Sequence, residues 1–209
     1  MLSLDDIEDL LQRRGHEQYS GEPVTQLEHA LQTAALAEAA GADDELVTAC
    51  LLHDLGHLLH ELGSGERSPT LRGVDDLHQY AALPFLRGLF GDRVLGAVQF
   101  HVDAKRYMCA AVPGYLHALS ADSQRSLVLQ GGVFSQAEAA AFLGRPGAAL
   151  SVKLRQWDDQ AKVAGGATPP LPHFLARARR CLIGPPARLR CAPPEGDRPP
   201  WDGPATDSL

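Results

Sequence analysis

The sequence predicts an all-α domain. Three observations lead there. Runs with the strict apolar–polar alternation of strands are nearly absent. Helix-start residues recur along the chain, each followed by an apolar-periodic stretch and a glycine or proline stop. Histidines and aspartates fall on the helical stretches in a fixed order: His29, then His53-Asp54-Leu55-Gly56-His57, then His78, His101 and Asp158.

Each element has its own punctuation. Ser3 caps a first helix that stops near Gly15. Thr25 and Glu28 have capping-box spacing and open a second helix running to Gly41. Asp43 or Asp44 opens a third, expected to run unbroken to Glu61 and to close at Gly63-Ser64-Gly65. Residues 62–75 read as a polar loop. Asp75 or Asp76 starts the next helix, which Pro84 bends or breaks. Asp92 starts another, up to about Ala111, before Pro113-Gly114. Ser120 caps a short helix, and Ser135 with Glu138 forms a second capping box. A long helix is expected after Pro146, through Val163, and a last one from Pro169 to Ile183. From residue 184 the chain turns rich in proline and arginine and lacks apolar surface to bury. The expected organisation is one helical domain over residues 1–183 and a loose tail over 184–209.

Bulk properties narrow the function. A chain of 209 residues supports one domain with a sizeable core. A formal charge of −7 disfavours a nucleic-acid surface. The four cysteines are Cys50, Cys109, Cys181 and Cys191; they form no C-x-x-C pair and read as free thiols, with Cys50 and Cys109 in buried helical positions. The N-terminus lacks the basic start and apolar run of a signal peptide, and no apolar stretch reaches about 18 residues. A cytoplasmic protein without a membrane span is expected.

The histidine–aspartate set points to a metal. His53 and His57 are four apart and share a helical face. Asp54 lies about 100° round from His53, close enough to aim at the same point. One carboxylate has two oxygens and can bridge two cations. Imidazole plus carboxylate suits Fe, Mn, Zn or Co, and the absence of thiolate argues against a soft-metal site. Taken singly, each histidine reads as a surface or packed residue; taken together, His29, His53, His57, His78, His101 and Asp158 do not. His16, His60, His117 and His173 carry no pattern.

His53-Asp54, with His29 before it and Asp158 after it, resembles the HD-domain superfamily over most of residues 20–165. That resemblance implies a helical bundle around a central dinuclear metal site. Metal one would take His29, His53, Asp54 and Asp158. Metal two would take His78, His101 and the other oxygen of Asp54. Most such proteins are phosphohydrolases. The phrases YSGEPVTQLEH (19–29), HVDAKRY (101–107), LVLQGG (127–132) and LRQWDDQAK (154–162) instead resemble PhnZ-type phosphonate oxygenases. This group implies two irons in a mixed-valent Fe(II)/Fe(III) pair, O2 as co-substrate, and oxidative cleavage of a carbon–phosphorus bond. The substrate implied is a small organophosphonate, a 1-hydroxyalkylphosphonate. The first choice is 2-amino-1-hydroxyethylphosphonate, cleaved to glycine and phosphate. A trimethylammonium analogue giving glycine betaine is an alternative. So is a metal-dependent phosphohydrolase acting on a nucleotide or phosphate ester. A ligand-binding scaffold without catalysis is a third reading, disfavoured by the complete ligand set.

The remaining polar residues fit an anion beside the metals. Lys105 is one turn after His101 and can neutralise a phosphonate. Arg155, three before Asp158, can meet the same anion, and His57 can donate to it. Ser123 and Ser126 add hydroxyl donors, and the first turn of their helix offers N–H groups. The resemblance assigns Tyr19 a gating role over the first metal. It assigns Glu22 a share in that lid and contact with a substrate amine. Ser20-Gly21-Glu22-Pro23 is also good turn chemistry.

Overall fold

The computed structural model describes residues 2–19, 21–59 and 70–184. Among these residues it is helical, with two isolated β-bridges, Gln18 to Thr25 and Phe90 to Leu182. The helices are α1 (Leu4–Arg14), α2 (Gln26–Ala39), α3 (Asp44–Leu52), α4 (Leu55–Leu59), α5 (His78–Ala81), α6 (Leu83–Leu86), α7 (Asp92–Ala111), α8 (Tyr115–Ala118), α9 (Ala121–Leu129), α10 (Gln136–Leu143), α11 (Ala148–Asp158) and α12 (Leu171–Arg180). A 3₁₀ turn spans Thr70–Arg72. No described helix is long and apolar enough to cross a membrane.

The capping chemistry works as expected. Ser3, Thr25 and Ser135 each accept from the N3 backbone N–H, while Asp6, Glu28 and Glu138 reach back to the cap. Asp43 and Ser120 cap α3 and α9. Gly96 and Gly147 let α7 and α11 approach closely: a Cβ on Gly147 would lie 3.0 Å from the Gly96 Cα. Gly147 also holds φ 94°, which only glycine adopts without strain. The main core lies among α1, α2, α3, α6, α7 and α12, and includes Leu52, Phe90 and Phe174. Arg177 fastens α12 with ion pairs of 2.5 Å to Glu38 and 2.6 Å to Asp44. Phe174 is fully buried, so Phe174→Ala is expected to cost about 3–5 kcal/mol of unfolding free energy, read from denaturant melts.

Four expectations are corrected. The helix opened by Asp43 does not run unbroken: it stops at Leu52, turns through His53-Asp54 and resumes at Leu55. Adjacent side chains on a continuous helix diverge, and the turn lets both point inward. Its expected end and the glycines after it lie outside the described residues. The next helix begins at His78 rather than Asp75 or Asp76, because Leu77 sits in the left-handed region at φ 51°. The break near Pro84 is present, between α5 and α6. The helix after Pro146 ends at Asp158, short of Val163. Residues 159–163 turn back instead, and the Ala161 and Val163 carbonyls accept from His29 and Gln32. The one-turn helix α8, introduced by Gly114 at φ 81°, had no expected counterpart. Cys109 is only partly buried, whereas Cys50 is fully so; Cys191 lies outside the described residues. So does the expected tail from residue 185 on.

Candidate metal centre and anion cavity

Four helix-borne positions and one turn bring the ligand candidates together. His29 comes from α2, and His53 and Asp54 from the turn between α3 and α4. His78 opens α5, His101 lies mid-way along α7, and Asp158 ends α11. None is more than 7% exposed. Gly56 explains how α5 gets so close. A Cβ there would sit 2.0 Å from the His78 carbonyl oxygen, so the backbones pack directly.

The four rings are locked in one orientation. His29, His53 and His101 place Nδ1 at 2.8, 2.8 and 2.7 Å from the carbonyls of Ala161, Cys50 and Val98. A carbonyl only accepts, so each Nδ1 carries a proton and each ring turns its Nε2 inward, where a ring without a second proton presents a lone pair. His78 does the same against Asp76 Oδ1 at 2.8 Å. The Nε2 atoms then meet in pairs, His29 with His53 at 3.2 Å and His78 with His101 at 3.0 Å. Facing lone pairs at that separation repel unless a cation lies between them.

The carboxylates complete two donor sets. Asp54 Oδ2 is 3.2 Å from His53 and 3.6 Å from His29, while Oδ1 is 3.3 Å from His78 and 3.4 Å from His101. Asp158 Oδ1 is 3.3 Å from His29. Asp54 Oδ2 and Asp158 Oδ1 are buried without a hydrogen-bond partner. A buried, unpartnered carboxylate oxygen is costly unless a cation meets it. The residues therefore fit two metal ions, one among His29, His53 and Asp158 and one among Asp54, His78 and His101, with Asp54 Oδ2 turned towards the first group. Electrostatics agree. Burial opposes charge on His53, yet the adjacent Asp54, with Asp158, lifts it to about 9. Burial also opposes charge on Asp54, and His53 and His101 still hold it well below the carboxylate range. The site attracts positive charge, which metal ions would provide in place of protons. His78, by burial and the charge on His57, falls to about 4, which suits a neutral ligand.

Beside this centre lies a cavity of about 600 Å³. Tyr19, Glu22, His57, Lys105, Ser123, Ser126 and Arg155 all line it. Lys105 is buried and donates to Ser126 Oγ at 2.8 Å. Burial, then the neighbouring Arg155, pull its amine down to about 7. Tyr19 stacks on His29 at 4.0 Å between centroids and 13° between planes, over the first donor set. Burial, with Asp54 and Asp158 facing it, pushes its hydroxyl well above the usual range.

Three expected substrate contacts are partly committed elsewhere. Arg155 pairs with Asp158 Oδ2 at 2.7 Å, with Asp159, and through Nε with the Tyr115 hydroxyl at 3.3 Å. Its position on the helix turn before Asp158 makes it the support of that ligand first. Glu22 is not an unpartnered carboxylate awaiting an amine: Lys162 Nζ lies 2.9 Å from its Oε1. In the first turn of α9, Ser120 Oγ already takes the Ser123 N–H.

Sequence reasoning missed Asp76, Tyr115, Asp159 and Lys162. Asp159 and Lys162 stood inside a quoted phrase without a role. Asp76 gave a signal in its spacing, two residues before a candidate ligand, but read as a helix cap. Its Oδ2 is 2.6 Å from His57 Nδ1, and its Oδ1 holds His78. The two rings stack at 3.9 Å. One carboxylate thus orients a ligand and an anion donor. Asp76→Asn is expected to lower affinity at the His78/His101 position about 10–100-fold, read by metal titration, with the other position little changed. Of the histidines without a pattern, His16 lines the cavity and His173 pairs with Glu38 at 2.9 Å; His60 lies outside the described residues.

Comparison with known proteins adds to the geometry. Residues 27–130 match the family model described as HD domain. A hydroxymethylphosphonate dioxygenase from Gimesia maris is 41% identical over 174 residues, 83% of this chain and 85% of that protein. A glycine-betaine-forming 1-hydroxy-2-(trimethylamino)ethylphosphonate dioxygenase from Leisingera caerulea is 38% identical over 173 residues, 83% of this chain and 87% of that protein. An uncharacterised protein of Acanthamoeba polyphaga mimivirus is 33% identical over 174 residues, 82% of this chain and 78% of that protein.

Proposed function

The chain belongs to the HD-domain family, and on that premise we propose that it is an oxygenase that cleaves the carbon–phosphorus bond of a 1-hydroxyalkylphosphonate. Its relatives make it a metal-dependent enzyme of small organophosphonates. Two irons, their mixed Fe(II)/Fe(III) state and O2 as co-substrate are the finer reading. One observation supports it above the rest: Asp54 divides its oxygens between two imidazole pairs that face a cavity holding a buried lysine.

The first ion would take His29, His53, Asp158 and Asp54, and the second His78, His101 and Asp54. Bound there, they would supply Lewis acidity and the electrons of oxygen chemistry. The chain's own residues do the rest. Lys105 and His57 offer N–H donors to phosphonate oxygens, held in place by Ser126 and Asp76. Arg155 keeps Asp158 aimed and adds positive charge. Ser123 and Ser126 narrow the anion's position. Tyr19 covers the first donor set and would move aside as substrate arrives, which keeps water out before binding. The conversion balances without a further reductant: R–CH(OH)–PO₃²⁻ plus O2 gives R–COO⁻ plus H₂PO₄⁻.

Phosphorus NMR of the iron-loaded enzyme with hydroxymethylphosphonate, 2-amino-1-hydroxyethylphosphonate and its trimethylammonium analogue tests the reading. The expected result is conversion of at least one phosphonate signal to phosphate in air and none under argon. Phosphonates left intact, with phosphate esters hydrolysed under Mn or Co, would assign the chain to the phosphohydrolases instead.

A further inference from the structure

We infer that Lys162 sets the substrate class by occupying, from within the chain, the Glu22 carboxylate on the cavity wall that would otherwise be open to a cationic substrate tail. The inference rests on the phosphonate reading of the site and narrows it to substrates without a cationic tail, of which hydroxymethylphosphonate is the simplest.

The Lys162 ammonium has a complete set of acceptors. Its Nζ lies 2.9 Å from Glu22 Oε1, 3.1 Å from Ser123 Oγ and 3.4 Å from Ser120 Oγ. Three N–H groups thus meet three oxygens. The Ser120 hydroxyl also donates to Glu22 Oε1, so the carboxylate oxygen receives two donors. Both charged side chains are largely buried, with 13% and 10% of their surface exposed. A substrate ammonium reaching Glu22 must either displace Lys162, leaving a buried cation unpaired, or sit beside it as a like charge. Both outcomes disfavour that substrate.

The loop is also fixed in this arrangement. Gly21, at φ 70°, packs so closely on α9 that a Cβ there would sit 3.1 Å from the Asp122 Cβ. Glu22 is therefore held where Lys162 and Ser120 reach it. A trimethylammonium tail fares no better. Such groups bind among several aromatic faces, and Tyr19 is the one Phe, Tyr or Trp among the described residues lining the cavity. One face of Tyr19 is stacked on His29, and Lys162 lies 5.9 Å from its ring centre.

Calorimetry on the metal-loaded protein tests the inference with methylphosphonate and 2-aminoethylphosphonate, which lack the reactive hydroxyl and bind without turnover. Methylphosphonate is expected to bind at least about tenfold more tightly. Tighter binding of 2-aminoethylphosphonate would overturn the inference while leaving the phosphonate site intact. Failure of both to bind would remove the phosphonate reading itself. Lys162→Met supplies an independent arm. By uncovering Glu22, it should shift the preference towards the aminated ligand at least about tenfold, and adding Glu22→Gln should abolish that shift. A single variant with wild-type preference would also overturn the inference.

Discussion

Asp54→Ala is expected to empty both metal positions. The carboxylate lies within reach of both imidazole pairs, at 3.2 Å from His53 and 3.3 Å from His78. Without it, the second position retains His78 and His101, two neutral donors, too few to hold a divalent ion against water. The first retains His29, His53 and Asp158 but loses half of its negative charge. Phosphate release from a phosphonate should fall by about a thousandfold or more, the scale of losing an essential metal's charge stabilisation. Metal analysis after desalting reads the first effect, and a phosphate assay the second. Asp54→Asn keeps the shape and one oxygen while removing the charge, and should fail in the same way. Circular dichroism of either variant should show the wild-type helix content. A variant that kept two ions per chain would contradict the bridging arrangement.

Lys105→Ala should separate binding from metal content. The amine is buried in the cavity wall and touches none of the ligand set by hydrogen bond; its partner is Ser126. Metal stoichiometry is therefore expected to stay at the wild-type value. A hydrogen bond to a charged group contributes roughly 1.5–3 kcal/mol, so phosphonate Kd should rise about ten- to hundredfold. The pH dependence has a definite sign. Burial lowers the Lys105 amine to about 7, so the free site holds it mostly neutral above that pH. Bound metal cations push it further the same way. A phosphonate dianion favours the charged amine and lifts its affinity for a proton, so binding takes up a proton on the alkaline side. Affinity then weakens as pH rises. Calorimetry in two buffers of different ionisation enthalpy, above the second ionisation of the phosphonate, should detect that uptake in wild type. Lys105→Ala should lack it.

The parts of the site legible in the sequence were those that spacing encodes. Helix starts were readable because a serine, threonine or aspartate before an apolar run satisfies orphan N–H groups locally. Ser3, Thr25, Ser120 and Ser135 cap where expected. The ligand histidines were readable because adjacent His-Asp residues and isolated inward histidines have no packing reason to recur. What was not legible depends on chain reversal. No local rule ends α11 at Asp158; the turn after it is stabilised by His29 and Gln32, more than 125 residues earlier in the chain. The stop at His53-Asp54 is likewise set from outside, by the donor sets that those two side chains complete. Asp76 lies in a helix-cap position by sequence and acts through two rings, which only the Leu77 backbone at φ 51° makes possible. Lys162 stood in plain view, four residues after a ligand. Its partner Glu22 is 140 positions away, beyond any sequence-local argument.

The most direct test of the account is the ratio of oxygen consumed to phosphate released by the iron-loaded enzyme. An oxygen electrode and a phosphate assay on one reaction mixture give it, with hydroxymethylphosphonate as substrate. Oxidative cleavage as balanced above requires one O2 for each phosphate, and no phosphate under argon. Phosphate released at the same rate with no oxygen consumed would contradict the account and place hydrolysis at this centre.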